Sequence, residues 1–167
     1  MWEDKDNKLI KEIETEVFSI PIIDTHEHLM SEQERRTLDL DIFFLFSHYT
    51  STDLINSSMS EEEYFLSICK QFPNVYFNLC WIHDVSADIY GSILEKVCEV
   101  LPSNKVFGFG GDYKLVECIY GAQKTARKVI TSFFYKKIKT QYFSFEEGIE
   151  YAKKILNKNP MSFYSIN

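Results

Sequence analysis

The sequence has 167 residues, a length that suits one domain (1–167) with a sizeable hydrophobic core. Hydrophobic residues make up 45% of the chain, aromatic residues 16% and charged residues 26%, which is typical of a folded protein rather than a disordered one. The 25 acidic residues outnumber the 18 lysines and arginines, and the net charge of -7 argues against a nucleic-acid partner.

Neither the apolar runs nor the amino terminus predicts a membrane protein or an exported one. No apolar run approaches the roughly 20 residues of a membrane-spanning helix, and the polar start at residues 1–5 lacks the apolar core of a signal peptide. The four cysteines are widely spaced without a Cys-x-x-Cys arrangement, which favours reduced structural thiols. We therefore expect a cytoplasmic protein with no membrane partner.

The first half of the chain predicts a helix followed by a buried strand. Apolar residues recur at helical spacing before Ser19 and Pro21, which end the helix. The apolar face consists of Leu9, Ile10, Ile13, Val17 and Phe18. Residues 22–28 then change from apolar to polar, as expected of a strand that runs into a site. Residues 31–59 predict a loop with short helices, and Ser60 to Glu63 has the capping-box pattern of a further helix.

The second half alternates predicted strands and helices. Strands are predicted over 75–82 and 106–109, and helices over 87–100 and from about 113 to 138. A second capping box at Ser144 and Glu147 opens a last helix, which we expect to stop before Asn159 and Pro160. Strand, helix, strand and helix in succession form a βαβ unit with parallel strands, so the predicted fold class is α/β.

Asp24, His26 and His28 alternate along the first predicted strand. Because side chains on one face of a strand recur every two residues, all three point to the same side, with the imidazoles about 7 Å apart along the strand. Two neutral imidazoles on one face can bind one transition-metal ion, and Asp24 can orient a ligand. The alternative interpretation is a solvated strand end with two ordinary histidines.

Asp112 follows the strand predicted over 106–109, directly after Gly110 and Gly111. Sites in parallel α/β folds form at the carboxyl ends of strands, and the two glycines allow close approach of the backbone. A carboxylate in this position can bind a metal ion or take a proton from a metal-bound water. The alternative is that Asp112 caps the amino terminus of the next helix.

Further polar and aromatic residues are candidates for contacts with a substrate. Trp81 lies near the end of the strand predicted over 75–82, His83 follows that strand, and His48 and Tyr49 lie in a polar stretch. Structural or solvent-facing roles are the alternative for each of them. Nucleotide binding and serine hydrolysis are rejected, because the chain has no Gly-x-Gly-x-x-Gly, Walker loop or Gly-x-Ser-x-Gly motif.

The segment Ile22-Ile23-Asp24-Thr25-His26-Glu27-His28-Leu29 resembles the first-strand signature of the amidohydrolase superfamily. Residues 72–83 and 105–113 are similar to strands seven and eight of the same barrel, and residues 152–160 resemble the branch that contains uronate isomerase. The motifs occur in family order. The similarity extends over most of residues 15–58 and 72–164.

This resemblance implies a (β/α)8-type enzyme that holds divalent ions at the carboxyl face of its barrel. His26 and His28 would be metal ligands, and Asp112 would be a metal ligand or the base that activates water. The implied cofactor is a divalent metal ion, with zinc as the first choice and manganese or iron as alternatives. The implied partner is a small-molecule substrate whose carbonyl group is attacked by metal-activated water.

The chain is shorter than the ~200–250 residues of a complete barrel of this kind. The middle strands and their histidines have no counterpart, and the apparent junction lies near residues 59–60. We therefore expect a partial TIM-barrel-like fragment with about three parallel strands and flanking helices. Its strand edges would be exposed, so either a second copy covers them in a homo-oligomer, or the chain packs as a small open sheet, or it folds poorly.

Three functions remain open from the sequence. The first is a metal-dependent hydrolase of the amidohydrolase type, with a uronate isomerase-like sugar-acid isomerase as a variant. The second is a catalytically inactive remnant that binds metal or self-associates. The third is a plain α/β interaction module.

Overall fold

The computed structural model describes residues 2–29, 31, 33, 66 and 69–166, which form mainly helices. In chain order the elements are α1 (Trp2–Ser19), β1 (Phe77–Asn78), α2 (Ile82–Val85), α3 (Ala87–Val100), a 3₁₀ turn (Ser103–Lys105), β2 (Val106–Phe107), α4 (Val116–Lys139), α5 (Phe145–Lys153), a π-helix (Lys154–Lys158) and α6 (Asn159–Tyr164). Within the described residues, no helix is both long enough and apolar enough to span a membrane.

The predicted α/β class, with its partial TIM-barrel-like fragment of about three strands, is wrong. Helix accounts for 67% of the described residues and strand for 3%. The sheet in the described structure consists of β1 and β2 alone. These two strands pair in parallel, with Phe77 opposite Val106. Each has two residues, although the sequence predicts longer strands over 75–82 and 106–109.

Backbone geometry explains why the predicted strands are short or missing. Trp81 has a φ of 63°, and this left-handed residue ends the extended run after β1 and precedes α2. Residues 22–28 are extended, but their amides donate to two different segments. Ile23 N donates to Leu156 O at 3.0 Å, and His28 N donates to Tyr113 O at 3.2 Å. A parallel ladder needs evenly spaced bonds to one neighbouring strand, so this segment is not a strand.

Most predicted helices are confirmed. Helix α1 ends at Ser19, and α3 covers 87–100 with the Ser86 hydroxyl accepting from the amides of its first turn. The capping box of α5 forms as predicted between Ser144 and Glu147. The prediction that the last helix stops before Asn159 is wrong, because helical backbone continues to the end of α6. Proline is tolerated in the first turn of a helix, where its missing amide hydrogen is not needed.

Helices α1 and α4 pack closely and supply much of the core. Ile13 and Val17 of α1 and Ile130 and Phe134 of α4 are fully buried. Burial of each such side chain contributes about 1.5–3 kcal/mol to folding. The buried Arg127 of α4 also donates to Val17 O and to Ile20 O, so it satisfies carbonyl groups at the carboxyl end of α1.

The π-helix connects the carboxyl-terminal helices to the segments that carry the candidate site. Two consecutive carbonyl groups of the π-helix accept hydrogen bonds from these segments. Ile155 O accepts from Gly108 N at 2.8 Å, and Leu156 O accepts from Ile23 N at 3.0 Å. π-Helical turns are rare and often occur at functional sites. Here the turn fixes the segment before His26 next to the segment before Asp112.

Aromatic side chains of α6 cover the strand β2. The rings of Phe163 and Tyr164 lie 5.3 and 6.1 Å from the ring of Phe107, and Tyr76 stacks on Phe107 at 5.4 Å. The sequence analysis predicts that a second copy of the chain can cover the strand edges that the missing part of the barrel leaves exposed. Within the described residues, the chain's own α6 covers β2, and a homo-oligomer stays a prediction.

Several predictions fall outside the described residues. They concern the loop at 31–59, of which only Ser31 and Gln33 are described, the capping box from Ser60 to Glu63 and the junction near 59–60.

Candidate metal centre

His26 and His28 bring their imidazole groups together at the end of the extended segment. The two Nε2 atoms are 3.1 Å apart, and the ring centroids are 4.9 Å apart at 71°. Both side chains are partly exposed, at 48% and 60%. The two imidazoles therefore lie on the same side of this segment, as the sequence predicts, although the strand itself does not form.

Asp112 completes the cluster from a different segment. Its Oδ1 lies 3.4 Å from His26 Nε2 and 3.5 Å from His28 Nε2, and its side chain is only 16% exposed. The same Oδ1 is buried and accepts no hydrogen bond from the described residues. Asp112 has a φ of 58°, which is uncommon for a residue other than glycine. Asp112 therefore does not cap α4, which begins four residues later.

The three side chains suit a transition-metal ion. At metal–ligand distances of about 2.0–2.1 Å, tetrahedral coordination places ligand atoms roughly 3.3 Å apart. The three separations of 3.1, 3.4 and 3.5 Å are close to this spacing. A buried carboxylate oxygen without a hydrogen bond also needs a compensating charge or donor. The geometry and the donor set both fit a divalent ion with at least one open position.

Asp24 lies beside the cluster and contacts backbone rather than a ligand side chain. Its Oδ1 accepts from His26 N at 3.1 Å and from Gly111 N at 2.9 Å. Asp24 therefore holds the two ligand-bearing segments against each other. Its other carboxylate oxygen is buried and accepts no hydrogen bond among the described residues.

Glu27 is a further residue of this site, and the sequence analysis did not identify it. Its Oε2 accepts from Tyr113 N at 2.8 Å. Burial and the neighbouring Asp24 and Asp112 carboxylates raise the pKa of Glu27 to about 8. The strand pattern excluded Glu27, because alternation assigns it to the face opposite His26 and His28. The irregular backbone of residues 22–28 removes that restriction.

His83 and Trp81 are not part of the cluster. His83 is 3% exposed and packs against Phe109 and Tyr90, with ring centroids 5.0 and 6.1 Å away. Neither of its ring nitrogens makes a hydrogen bond within the described structure, and burial lowers the pKa of its imidazole. Trp81 is half-buried at the turn between β1 and α2. His48 and Tyr49 lie outside the described residues.

A surface cavity of 420 Å³ lies away from the cluster. It borders α1 and the start of α5. Its lining residues are Lys8, Lys11, Glu12, Thr15, Glu16 and Phe145. None of these residues is a candidate ligand, so the cavity does not mark a substrate site at the metal centre.

Comparison with protein-family models and with curated protein sequences found no match to this chain. The resemblance to the amidohydrolase superfamily therefore stays a prediction that depends on the residues quoted for it.

Proposed function

We propose that this protein binds one divalent transition-metal ion through His26, His28 and Asp112 and uses it in hydrolysis. The observation that carries the proposal is the convergence of two imidazole nitrogens and one buried carboxylate oxygen within 3.5 Å of one another. The resemblance of residues 22–29 to the amidohydrolase signature supports the same ligands. Two imidazoles and one carboxylate suit zinc first, and iron or manganese as alternatives.

Three protein ligands leave a coordination position open for water or substrate, as in catalytic rather than structural metal sites. When bound, the ion would supply Lewis acidity and a nucleophilic water near neutral pH. His26 and His28 would bind the ion through Nε2, and Asp112 would bind it through its carboxylate. Asp24 keeps a further buried carboxylate oxygen beside the ligands, where it could accept a proton during attack on a carbonyl substrate.

The second candidate function is metal binding without turnover. The exposure of both imidazoles favours it, since hydrolytic sites generally exclude bulk water from the reacting groups. The two candidates share the metal ion and differ only in catalysis, so metal binding is tested first.

Elemental analysis and zinc titration of the purified chain test the proposal. We expect about one ion per chain for the native protein and none for the His26→Ala/His28→Ala double variant. Asp112→Asn keeps the shape of the side chain but removes its charge. We expect it to weaken binding by more than the ~10- to 100-fold typical of groups that only orient a ligand.

Glu14→Gln is the matched control for the loss of one carboxylate charge, because Glu14 is exposed on α1. It is expected to bind metal as the native protein does. No metal in the native protein after supplementation would overturn the proposal. Hydrolysis of a model ester or amide by the loaded protein, absent from Asp112→Asn, would separate an enzyme from a protein that only binds metal.

A further inference from the structure

Three consecutive backbone amides around Asp112 all donate to the segment that carries the histidines. Gly111 N donates to Asp24 Oδ1 at 2.9 Å, Asp112 N to His26 O at 2.7 Å and Tyr113 N to Glu27 Oε2 at 2.8 Å. Two of the three acceptors are carboxylates, which form stronger hydrogen bonds than neutral groups do. The loop that presents Asp112 is thus held by residues 24–27.

The conformation of Asp112 needs this support. Its φ of 58° places a non-glycine residue in the left-handed region, which such residues adopt uncommonly. Such conformations persist only where surrounding contacts hold them. Without the bonds on either side, the backbone at 112 would relax, and Oδ1 would move away from the two imidazoles.

Glu27 approaches this loop closely at Gly111. A Cβ atom at Gly111 would overlap Glu27 Oε1 and lie 2.6 Å from Tyr113 Cδ2 and 2.9 Å from Asp24 Oδ2, so these side chains would have to shift. Since no glycine among the described residues has a positive φ, glycine here provides space rather than backbone freedom. The carboxylate of Glu27 therefore occupies the position that a side chain at 111 would otherwise take.

Tyr113 links this contact to the rest of the structure. Its hydroxyl donates to Asp84 Oδ2, its amide donates to Glu27, and its carbonyl accepts from His28 N at 3.2 Å. The residue that follows Asp112 is thus fixed at its amide, its carbonyl and its side chain. Of these contacts, the hydrogen bond to Glu27 is the one that ties Tyr113 to a side chain of the histidine segment.

We infer that Glu27 is a positioning residue, which holds Asp112 in its ligand conformation through the amide of Tyr113. The inference rests on the proposed metal function. This role differs from that of a metal ligand, because the effect of Glu27 depends on a hydrogen-bond acceptor at this position and not on the charge of Glu27.

Cobalt binding to two variants tests this role. Glu27→Ala removes the acceptor, and we expect the Co²⁺ association constant to fall about 10- to 100-fold, with a changed visible absorption spectrum of the bound cobalt. Glu27→Gln keeps an acceptor oxygen without the charge, and we expect it to restore the native spectrum and most of the affinity. Glu14→Ala, on the exposed face of α1, is the control for truncation of a glutamate.

Equal losses in the Ala and Gln variants would overturn the inference, because charge alone would then explain them. Native affinity in Glu27→Ala would also overturn it and would leave the metal function standing. A native protein that binds no cobalt would remove both proposals together. The three results are distinguishable from the same titrations.

Amide hydrogen exchange in the metal-free protein gives a second measurement. We expect faster exchange of the amides at 111–113 in Glu27→Ala and native rates in Glu27→Gln. Unchanged exchange in Glu27→Ala would contradict the positioning role. If Glu27→Ala does not fold, Gly111→Ala serves instead, because the added methyl group displaces the Glu27 carboxylate. Native cobalt affinity in a folded Gly111→Ala protein would overturn the inference.

Discussion

In the helical scaffold of α1, α3 and α4, buried side chains are mainly apolar, whereas polar contacts hold the metal centre. The scaffold buries complete aliphatic and aromatic side chains such as Ile13, Leu94 and Phe134. The candidate metal centre lies on segments without helix or strand, and one buried carboxylate oxygen each of Asp24, Glu27 and Asp112 accepts no hydrogen bond from the described residues. Burying such oxygens without a partner costs free energy, which the scaffold has to offset.

This difference distinguishes the contacts that stabilise the fold from the contacts that position the candidate ligand atoms. Apolar packing is non-directional and tolerates modest rearrangement, so it sets the free energy of folding. Hydrogen bonds of carboxylates to single amides are directional, so they set the positions of ligand atoms. Changes in the scaffold should therefore alter the free energy of unfolding, and changes at the centre should alter metal affinity.

The largest expected effect on the free energy of unfolding comes from truncation of the Phe134 side chain in the scaffold. Phe134→Ala removes a fully buried ring and leaves a cavity, and we expect the free energy of unfolding to fall by about 3–5 kcal/mol. Urea denaturation followed by circular dichroism measures the loss. Tyr120→Ala on the same helix is the control, since Tyr120 is 64% exposed, and should change stability by about 0.5 kcal/mol or less. A loss below about 1 kcal/mol in Phe134→Ala would contradict the assignment of the core.

A smaller effect is expected from Arg127, which is a polar contact inside the scaffold. Arg127→Ala leaves Val17 O and Ile20 O without their charged donor, and we expect a loss of about 3 kcal/mol in the free energy of unfolding. Metal affinity of the folded variant should stay native. Lys128→Ala, at an exposed position of the same helix, should be nearly neutral in the same urea titration. A selective loss of metal affinity in Arg127→Ala would contradict the expectation that changes in the scaffold alter stability and not metal affinity.

The smallest effect concerns pH and His83. Burial lowers the pKa of His83 more than the nearby Asp84 and Asp24 carboxylates raise it. Above the unfolded value of about 6.5, the imidazole is neutral in both states and has no effect on stability. As the pH falls below 6.5, the unfolded chain takes up the proton first, so stability decreases towards the lowered pKa of the folded state. The slope is at most about 1.4 kcal/mol per pH unit.

His83→Phe tests this dependence, because the ring keeps its aromatic contacts with Phe109 and Tyr90 but cannot titrate. The free energy of unfolding is measured at pH 7.5 and at pH 5.0 for both proteins. We expect the native protein to lose more stability between the two values than the variant does. Equal losses would mean that His83 titrates alike in the folded and unfolded chains.

Sequence patterns predicted the helices well, because their signals are local. The capping box at Ser144 and Glu147 and the apolar stripe of α1 depend on residues within one or two turns. Strands were predicted less well, because a ladder needs a regular neighbour. The extended run at 22–28 and the turn at Trp81 depend on contacts with residues more than 25 positions away. The predicted α/β class failed for this reason.

For the candidate site, the sequence by itself determined the three candidate ligands. The spacing of His26 and His28 in a predicted strand is a local feature, and so is a carboxylate that follows two glycines. Only the tertiary structure decided that Asp112 adopts a left-handed conformation, that His83 lies in the core and that Glu27 reaches Tyr113. The first and third features depend on contacts between segments more than 80 residues apart, and His83 packs against Phe109, which is 26 positions away. Such contacts arise from packing of the whole chain, which no local pattern encodes.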